Sequence, residues 1–203
     1  MKIIAIGRNY VDHIKELNNE RPDEPVIFTK PETAYLRSVD PFYIPDWTND
    51  VHHEVEIVVK INHNGKNIKP KFAHKYYDEV GIGIDFTARD LQAKLKAKGL
   101  PWDTAKGFNG SAPVSQTFIP KDELDLSNLD FSLKVNKEER QKGNTSHMIW
   151  SINEIIAHMS KFFMLKKGDL IFTGTPAGVE KVNIGDKLEC FIGEKKMLEV
   201  DVK

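Results

Sequence analysis

Cysteine is almost absent from this chain: Cys190 stands alone among 203 residues. A lone thiol cannot make an internal disulfide framework, nor a multi-cysteine zinc or iron–sulfur site. An excess of charge of one sign is missing too. Lys and Arg number 29 against 30 Asp and Glu, a formal net charge of −1. No basic field therefore exists to hold a nucleic-acid backbone or an anionic membrane. No apolar run approaches bilayer-spanning length, and the apolar residues 3–6 are too few for a signal peptide. Internal repeats and low-complexity tracts are also lacking. What is there is ordinary for a folded chain, with 40% hydrophobic and 29% charged residues. That is enough apolar surface to offset the entropy of ordering the chain. The expectation is one soluble, cytoplasmic domain over residues 1–203.

Strand signals dominate. Runs rich in β-branched residues predict strands at 1–6, 26–28, 53–61, 80–86, 170–172, 187–192 and 197–202. Residues 131–135 and 138–142 flank Asn136-Lys137, which reads as a hairpin turn. Helical spacing of Tyr10, Ile14 and Leu17 predicts a helix over 10–17, followed by a polar loop at 18–25. A second helix covers 87–98, with Thr87 as its cap and Gly99 and Pro101 as its stop. The third covers 151–163, with Ile152, Ile155, Ile156, Met159 and Phe163 on one face. The fold class is α+β, mainly β.

Several charged side chains sit where apolar ones are expected. Glu54 and Glu56 are two apart on a predicted strand and so share a face. Buried there, they need a cation or donors; a hard divalent cation such as Mg²⁺ or Mn²⁺ suits such oxygens. A solvated outer face explains the same spacing equally well. Asp85 ends the apolar run Gly81–Ile84 and is either a helix cap or a ligand, and a Thr87 cap would leave it available. His13 and Glu16 are three apart on the first helix, the spacing of a general base with its orienting carboxylate and equally of a surface pair. Lys106 lies among small residues and aromatics, where it binds a substrate carboxylate or faces solvent. The loop Thr173-Gly174-Thr175-Pro176-Ala177-Gly178 offers hydroxyls and backbone N–H groups to an anion, or is only a turn. His52 and His53 lack the His-Glu-x-x-His spacing of a helical zinc site, which makes magnesium the better reading.

Taken in order, these stretches resemble the fumarylacetoacetate hydrolase family, in particular its short acylpyruvase type. The resemblance rests on Gly7-Arg8-Asn9-Tyr10 through His13 and Glu16, Phe28-Thr29-Lys30-Pro31, and His52-His53-Glu54-Val55-Glu56. It continues through Gly83-Ile84-Asp85-Phe86-Thr87-Ala88-Arg89 to Gln92, then Gly99-Leu100-Pro101-Trp102, Ala105-Lys106-Gly107-Phe108, Val135-Asn136 and the 173–178 loop. It implies a mixed, rolled β-sheet with short flanking helices. It implies Mg²⁺ or Mn²⁺ held by Glu54, Glu56 and Asp85, with Lys106 as the active-site lysine. Arg8, Arg89, Gln92 and Thr175 become substrate-binding residues. His13 and Glu16 become a catalytic dyad on a lid helix that orders over the metal when ligand binds. The implied substrates are 2-oxo acids. Hydrolysis of acylpyruvates is the leading expectation, with oxaloacetate decarboxylation beside it. Isomerisation or tautomerisation of related acids is the alternative, and a catalytically silent metal-binding protein is the alternative of another class. A homodimer is implied as well.

Overall fold

The computed structural model describes residues 1–18 and 20–203. The first half of the chain runs through β1 (Ile3–Gly7), α1 (Val11–Glu16), β2 (Val26–Lys30), β3 (Tyr35–Arg37), β4 (Val51–His52), β5 (Val55–Ile61), α2 (Pro70–Ala73), β6 (Tyr77–Ile84), β7 (Thr87–Ala88), α3 (Arg89–Ala97) and α4 (Asp103–Lys106). The second half adds β8 (Ala112–Val114), β9 (Ile119–Pro120), β10 (Asp130–Val135), β11 (Glu138–Asn144), α5 (Ile152–Phe162), β12 (Leu170–Phe172), β13 (Lys187–Ile192) and β14 (Lys195–Asp201). The class is α+β and mainly sheet, as expected.

Eight strands make one curled, mixed sheet in the order β2-β1-β12-β5-β6-β8-β3, with β9 paired to β6. The β1–β12 and β3–β8 pairs are parallel. A second, antiparallel sheet runs β11-β10-β13-β14. The pleat sorts side chains between two cores. Ile4 and Ile6 of β1 face the larger core with Leu133, Leu188 and the apolar face of α5; Ile3 and Ala5 face a smaller one with Phe28 and Phe172. In β5, Val55, Ile57, Val59 and Ile61 join the larger core, whereas Val58 joins the smaller. Because β5 is covered on both faces, the solvated-face explanation of Glu54 and Glu56 fails; they are 4% and 1% exposed.

Local signals account for most boundaries. Ser151 and Glu154 form a reciprocal capping box that starts α5. Asn136 and Lys137 both have positive φ, 52° and 74°, as a tight hairpin with right-handed strand twist requires. Three expectations are corrected. The strand predicted from residue 53 begins at Val55, because the His53 N–H turns to the Glu180 carbonyl at 3.1 Å. Thr87 does not cap α3: it pairs with His52 in β7, and Ala88 holds the cap position without a side-chain bond. β2 runs on through Lys30, whose backbone pairs with Ile3. Two helical turns, α2 and α4, are too short to show a period. The predicted loop 18–25 contains residue 19, which lies outside the described residues. Among the described residues, no helix is long and apolar enough to cross a membrane.

Gly83 is the register partner of Glu56. A Cβ there would lie 2.8 Å from Phe172 and 2.9 Å from the Pro113 carbonyl oxygen, and a backbone oxygen cannot swing aside. Gly83→Ala should therefore destabilise the fold by about 1–3 kcal/mol in urea titrations. A loss below ~0.5 kcal/mol, the scale of an innocuous surface change, would contradict this packing.

Candidate active site

Two neighbouring strand ends gather the acids. β5 carries Glu56, its entry carries Glu54, and Asp85 follows the last residue of β6. The Asp85 N–H donates to the Glu54 carbonyl at 2.8 Å, one rung beyond the regular ladder. One carboxylate oxygen from each of Glu54, Glu56 and Asp85 lies within 4.8 Å of the others, and all three residues are buried. The residues fit a hard divalent cation, since every donor is an oxygen. Burial, then the Asp85 and Glu54 charges, push the Glu56 carboxyl well above the usual carboxylate range. Three acids that resist joint ionisation are a site a cation would relieve. Neither histidine joins them: His52 contacts Asp50 at 3.0 Å and His53 contacts Gln141 at 2.8 Å.

Three cations answer the acids from below and beside. Lys106, at the end of α4, donates to Glu54 Oε2 and Asp85 Oδ2, both at 2.7 Å. Burial opposes its charge, but Asp85 and Glu54 outweigh that and raise its pKa. Arg89 donates to Glu54 Oε1 and, at 2.7 Å, to Gln92 Oε1. Burial would raise the Glu54 pKa, yet Lys106, Arg89 and His13 pull it far below the ordinary value. Lys30 is fully enclosed, with Nζ 2.6 Å from Asp85 Oδ1 and hydrogen-bonded to the Ser111 carbonyl and hydroxyl at 3.0 Å. It also donates to the Lys106 carbonyl, so one buried ammonium ties Asp85 to the segment that carries Lys106. Its part in the site was not anticipated from sequence. The available signal was its period-2 spacing from the inward-facing Phe28.

The first helix closes over this cluster. His13 is 6% exposed on α1, and its Nδ1 lies 3.1 Å from Glu16 Oε2. The other Glu16 oxygen accepts the Gly178 N–H at 2.9 Å. Burial opposes ionisation of Glu16, but the His13 contact and the Gly178 N–H together hold its pKa below the ordinary value. An ionised carboxylate only accepts, so Nδ1 carries the hydrogen of this contact and Nε2 is the ring nitrogen left for chemistry. The segment expected to order over the site only with ligand lies against the cavity in this structure, through His13 and Leu17. Every predicted site residue except Glu16 lines one cavity of about 40 Å³, with Glu16 behind His13. Lys96 and Trp102 line it as well and were not among the predicted site residues.

The 173–178 loop departs from expectation, because several of its donors are met within the protein: besides the Gly178 N–H, the Thr173 hydroxyl donates to the Ile57 carbonyl at 2.9 Å. Its Gly174 N–H, read as a donor for an anion, is given to Glu56 Oε2 at 2.6 Å. Gly174 has φ +100°, and a Cβ there would lie 2.6 Å from that of Asn9. Asn9 in turn clamps the loop, donating to the Thr173 carbonyl at 2.7 Å and accepting the Trp150 N–H at 2.8 Å. The residue before it, Arg8, is held at φ 62° beside the cavity, a conformation disfavoured for a long side chain.

A curled mixed sheet whose adjacent strand ends present a buried three-carboxylate cluster under a histidine-bearing helix defines a class of enzyme. The family model described as fumarylacetoacetate (FAA) hydrolase C-terminal matches residues 2–203, and the chain belongs to that family. It is 45% identical over 189 residues to oxaloacetate tautomerase YcgM of Escherichia coli (strain K12), covering 92% of this chain and 86% of that one. It is 44% identical over 193 residues to the mitochondrial oxaloacetate decarboxylase of Dictyostelium discoideum, covering 94% and 88% respectively. The crystal structure of fumarylpyruvate hydrolase from Pseudomonas aeruginosa in complex with Mn²⁺ and pyruvate superposes with a TM-score of 0.92 at 33% identity, covering 100% of this chain and 89% of that one.

Two outcomes follow from this geometry. Glu56→Ala should weaken Mn²⁺ binding by more than about 100-fold, beyond the 10–100-fold usual for losing a supporting partner. Calorimetric titration checks it, and near-native affinity would refute the ligand set. Glu16→Ala removes the tie between α1 and Gly178, so amide exchange across residues 11–17 should accelerate while Mn²⁺ affinity holds. Unchanged exchange there would show that the helix is held by something else.

Proposed function

We propose that this enzyme interconverts the keto and enol forms of oxaloacetate or a closely similar short 2-oxo dicarboxylic acid, with a divalent cation, Mg²⁺ or Mn²⁺, at Glu54, Glu56 and Asp85. The observation that carries the choice is the polarity of the cavity. Arg8, Arg89 and Lys96 line it together with the three acids. Burial, then the Arg8 and Arg89 charges, lower the Lys96 pKa, which marks a concentration of positive charge. A small cavity that combines a cation site with several cationic side chains suits a short dianion better than a neutral acyl tail. The 44–45% identity to proteins named as acting on oxaloacetate supports the same substrate.

A bound divalent cation would act as a Lewis acid that stabilises negative charge on the substrate's 2-oxo group. The chain's own residues do the rest. Thr175 and Lys106 hold the carboxylate next to the 2-oxo group. Arg8, Arg89 and Lys96 hold the distal carboxylate. His13 Nε2 takes a proton from C3, and the same proton is returned to the 2-oxo oxygen, so one C–H bond breaks and one O–H bond forms. Glu16 keeps the imidazole in the tautomer this needs. Acylpyruvate hydrolysis is a second reading, favoured by the His13–Glu16 dyad, which could equally activate a water. We further propose a cytoplasmic homodimer; Tyr43 and Trp47, 66% and 50% exposed, supply apolar surface for an interface.

The ultraviolet decay of enol-oxaloacetate, followed with Mn²⁺ or Mg²⁺ and with excess chelator, tests the reading. Catalysis should require the metal, and His13→Ala should lower kcat by roughly 10²–10⁴-fold. Arg8→Ala should raise KM for oxaloacetate more than for a monocarboxylic 2-oxo acid. Faster turnover of acetylpyruvate than of oxaloacetate would put hydrolysis first, and full activity in chelator would sink both readings. Sedimentation at micromolar concentration reads the dimer, which a monomer would contradict.

A further inference from the structure

Gln141 belongs to β11 of the smaller sheet, yet it is 1% exposed and ends beside the active site. Gln141 is the register partner of buried Leu133 and shares the inward face with Gly143, while its neighbours Arg140 and Lys142 stay exposed. Its amide orientation is fixed by two groups without freedom. The Val55 N–H can only donate and lies 3.0 Å from Oε1. The Pro176 carbonyl can only accept and lies 3.0 Å from Nε2. With the ends so assigned, Nε2 also donates to Thr175 Oγ1 at 2.8 Å, and His53 Nδ1, 2.8 Å from Oε1, carries its hydrogen.

The consequence lies at Thr175. A hydroxyl has one hydrogen and two lone pairs. Thr175 Oγ1 receives the Gln141 N–H on a lone pair, so its hydrogen is not used in that contact. Thr175 lines the cavity, and among the described residues its O–H donates to no protein acceptor. We propose that Gln141 is a positioning residue that commits the Thr175 hydroxyl as a hydrogen-bond donor to a carboxylate oxygen of the bound 2-oxo acid. The proposal rests on the 2-oxo acid reading above and does not depend on which reaction follows. The same amide grips Val55, which lies between Glu54 and Glu56, so one side chain keeps the donor and the acidic strand in register. Two glycines allow the required closeness. A Cβ on Gly178 would lie 2.2 Å from the Arg140 carbonyl oxygen, and one on Gly143 would lie 2.9 Å from Pro176 Cγ.

Gln141→Glu keeps the shape and removes the donor. A carboxylate at 141 would accept the Thr175 hydrogen and draw it away from the cavity. The test is pyruvate binding to the Mn²⁺-loaded protein by calorimetry, with oxaloacetate KM and kcat measured in parallel. Thr175→Val should weaken pyruvate by roughly 10- to 100-fold, the worth of a hydrogen bond to a charged group. Gln141→Glu should weaken it by a similar factor, and the double variant should lose no more than either alone. Thr175→Ser should retain affinity. The Gln141→Glu loss should fall in KM, with kcat within about threefold and Mn²⁺ affinity unchanged, whereas a merely structural defect would lower metal affinity too. Additive losses, or native pyruvate affinity in Gln141→Glu, would overturn the proposal. Thr175→Val is informative even if Gln141→Glu does not fold, because unchanged affinity there is itself a refutation. Pyruvate binding in the expected pattern without oxaloacetate turnover would support the role of Gln141 while sinking the proposed reaction.

Discussion

Three carboxylates enclosed at the ends of β5 and β6 set the terms for the rest of this structure. Acids so close together, out of water, repel one another and lose their hydration. The fold answers with cations that come from different parts of the chain: Lys30 from an edge strand, Lys106 from a single helical turn, Arg89 from the start of α3. Each is itself removed from water and needs the acids as much as they need it. Breaking one partner of such a set leaves an uncompensated buried charge, which is costlier than never having built the pair. The site and the fold are therefore coupled, since the elements that bring the cations also cover the sheet.

Around that charged centre the polar groups are arranged by contacts that leave little freedom. Asn9 uses both ends of its amide to join the β1–α1 turn to the 173–178 loop and to the start of α5. Gln141 does the same between the smaller sheet, β5 and that loop. Buried amides with both ends satisfied are rigid fixtures, and here they stand beside groups that must meet substrate. Close approach of neighbouring atoms to Gly83, Gly143, Gly174 and Gly178 makes these spans short enough.

The lid is lighter. α1 has six residues, and of them only His13 and Ile14 are buried. Its tie to the loop runs through Glu16 and the Gly178 N–H, so a segment with few apolar anchors is held by one carboxylate. Below the range where Glu16 is ionised, that tie and the orientation of His13 weaken together, because its lowered pKa means the contact is present above the ordinary carboxylate value and is lost as pH falls through the lowered one. A segment of low local stability that also carries the acid–base group is well placed to open for substrate and close for chemistry.

Sequence alone determined a good deal. Runs rich in β-branched and apolar residues placed the strands at 170–172 and 187–192, and a period-3.6 pattern placed the helix at 151–163, observed at Ile152–Phe162, because burial selects those residues and periods. Spacing drew attention to Glu54, Glu56 and the His13–Glu16 pair, and the resemblance assigned them roles. It could not decide whether the glutamates met solvent or a cation, since both faces of a strand read alike until the covering layer is known. Lys30, Lys96 and Gln141 were invisible as site residues for a similar reason. Each looks like an ordinary polar residue on a strand or helix; the importance of Lys30 and Gln141 depends on partners 55 and 34 positions away, Asp85 and Thr175, and that of Lys96 on the cavity that α3 is packed against. Local patterns record which side of an element is buried. Only the tertiary structure decided what each buried polar atom faces, because that depends on how distant strands pack against one another.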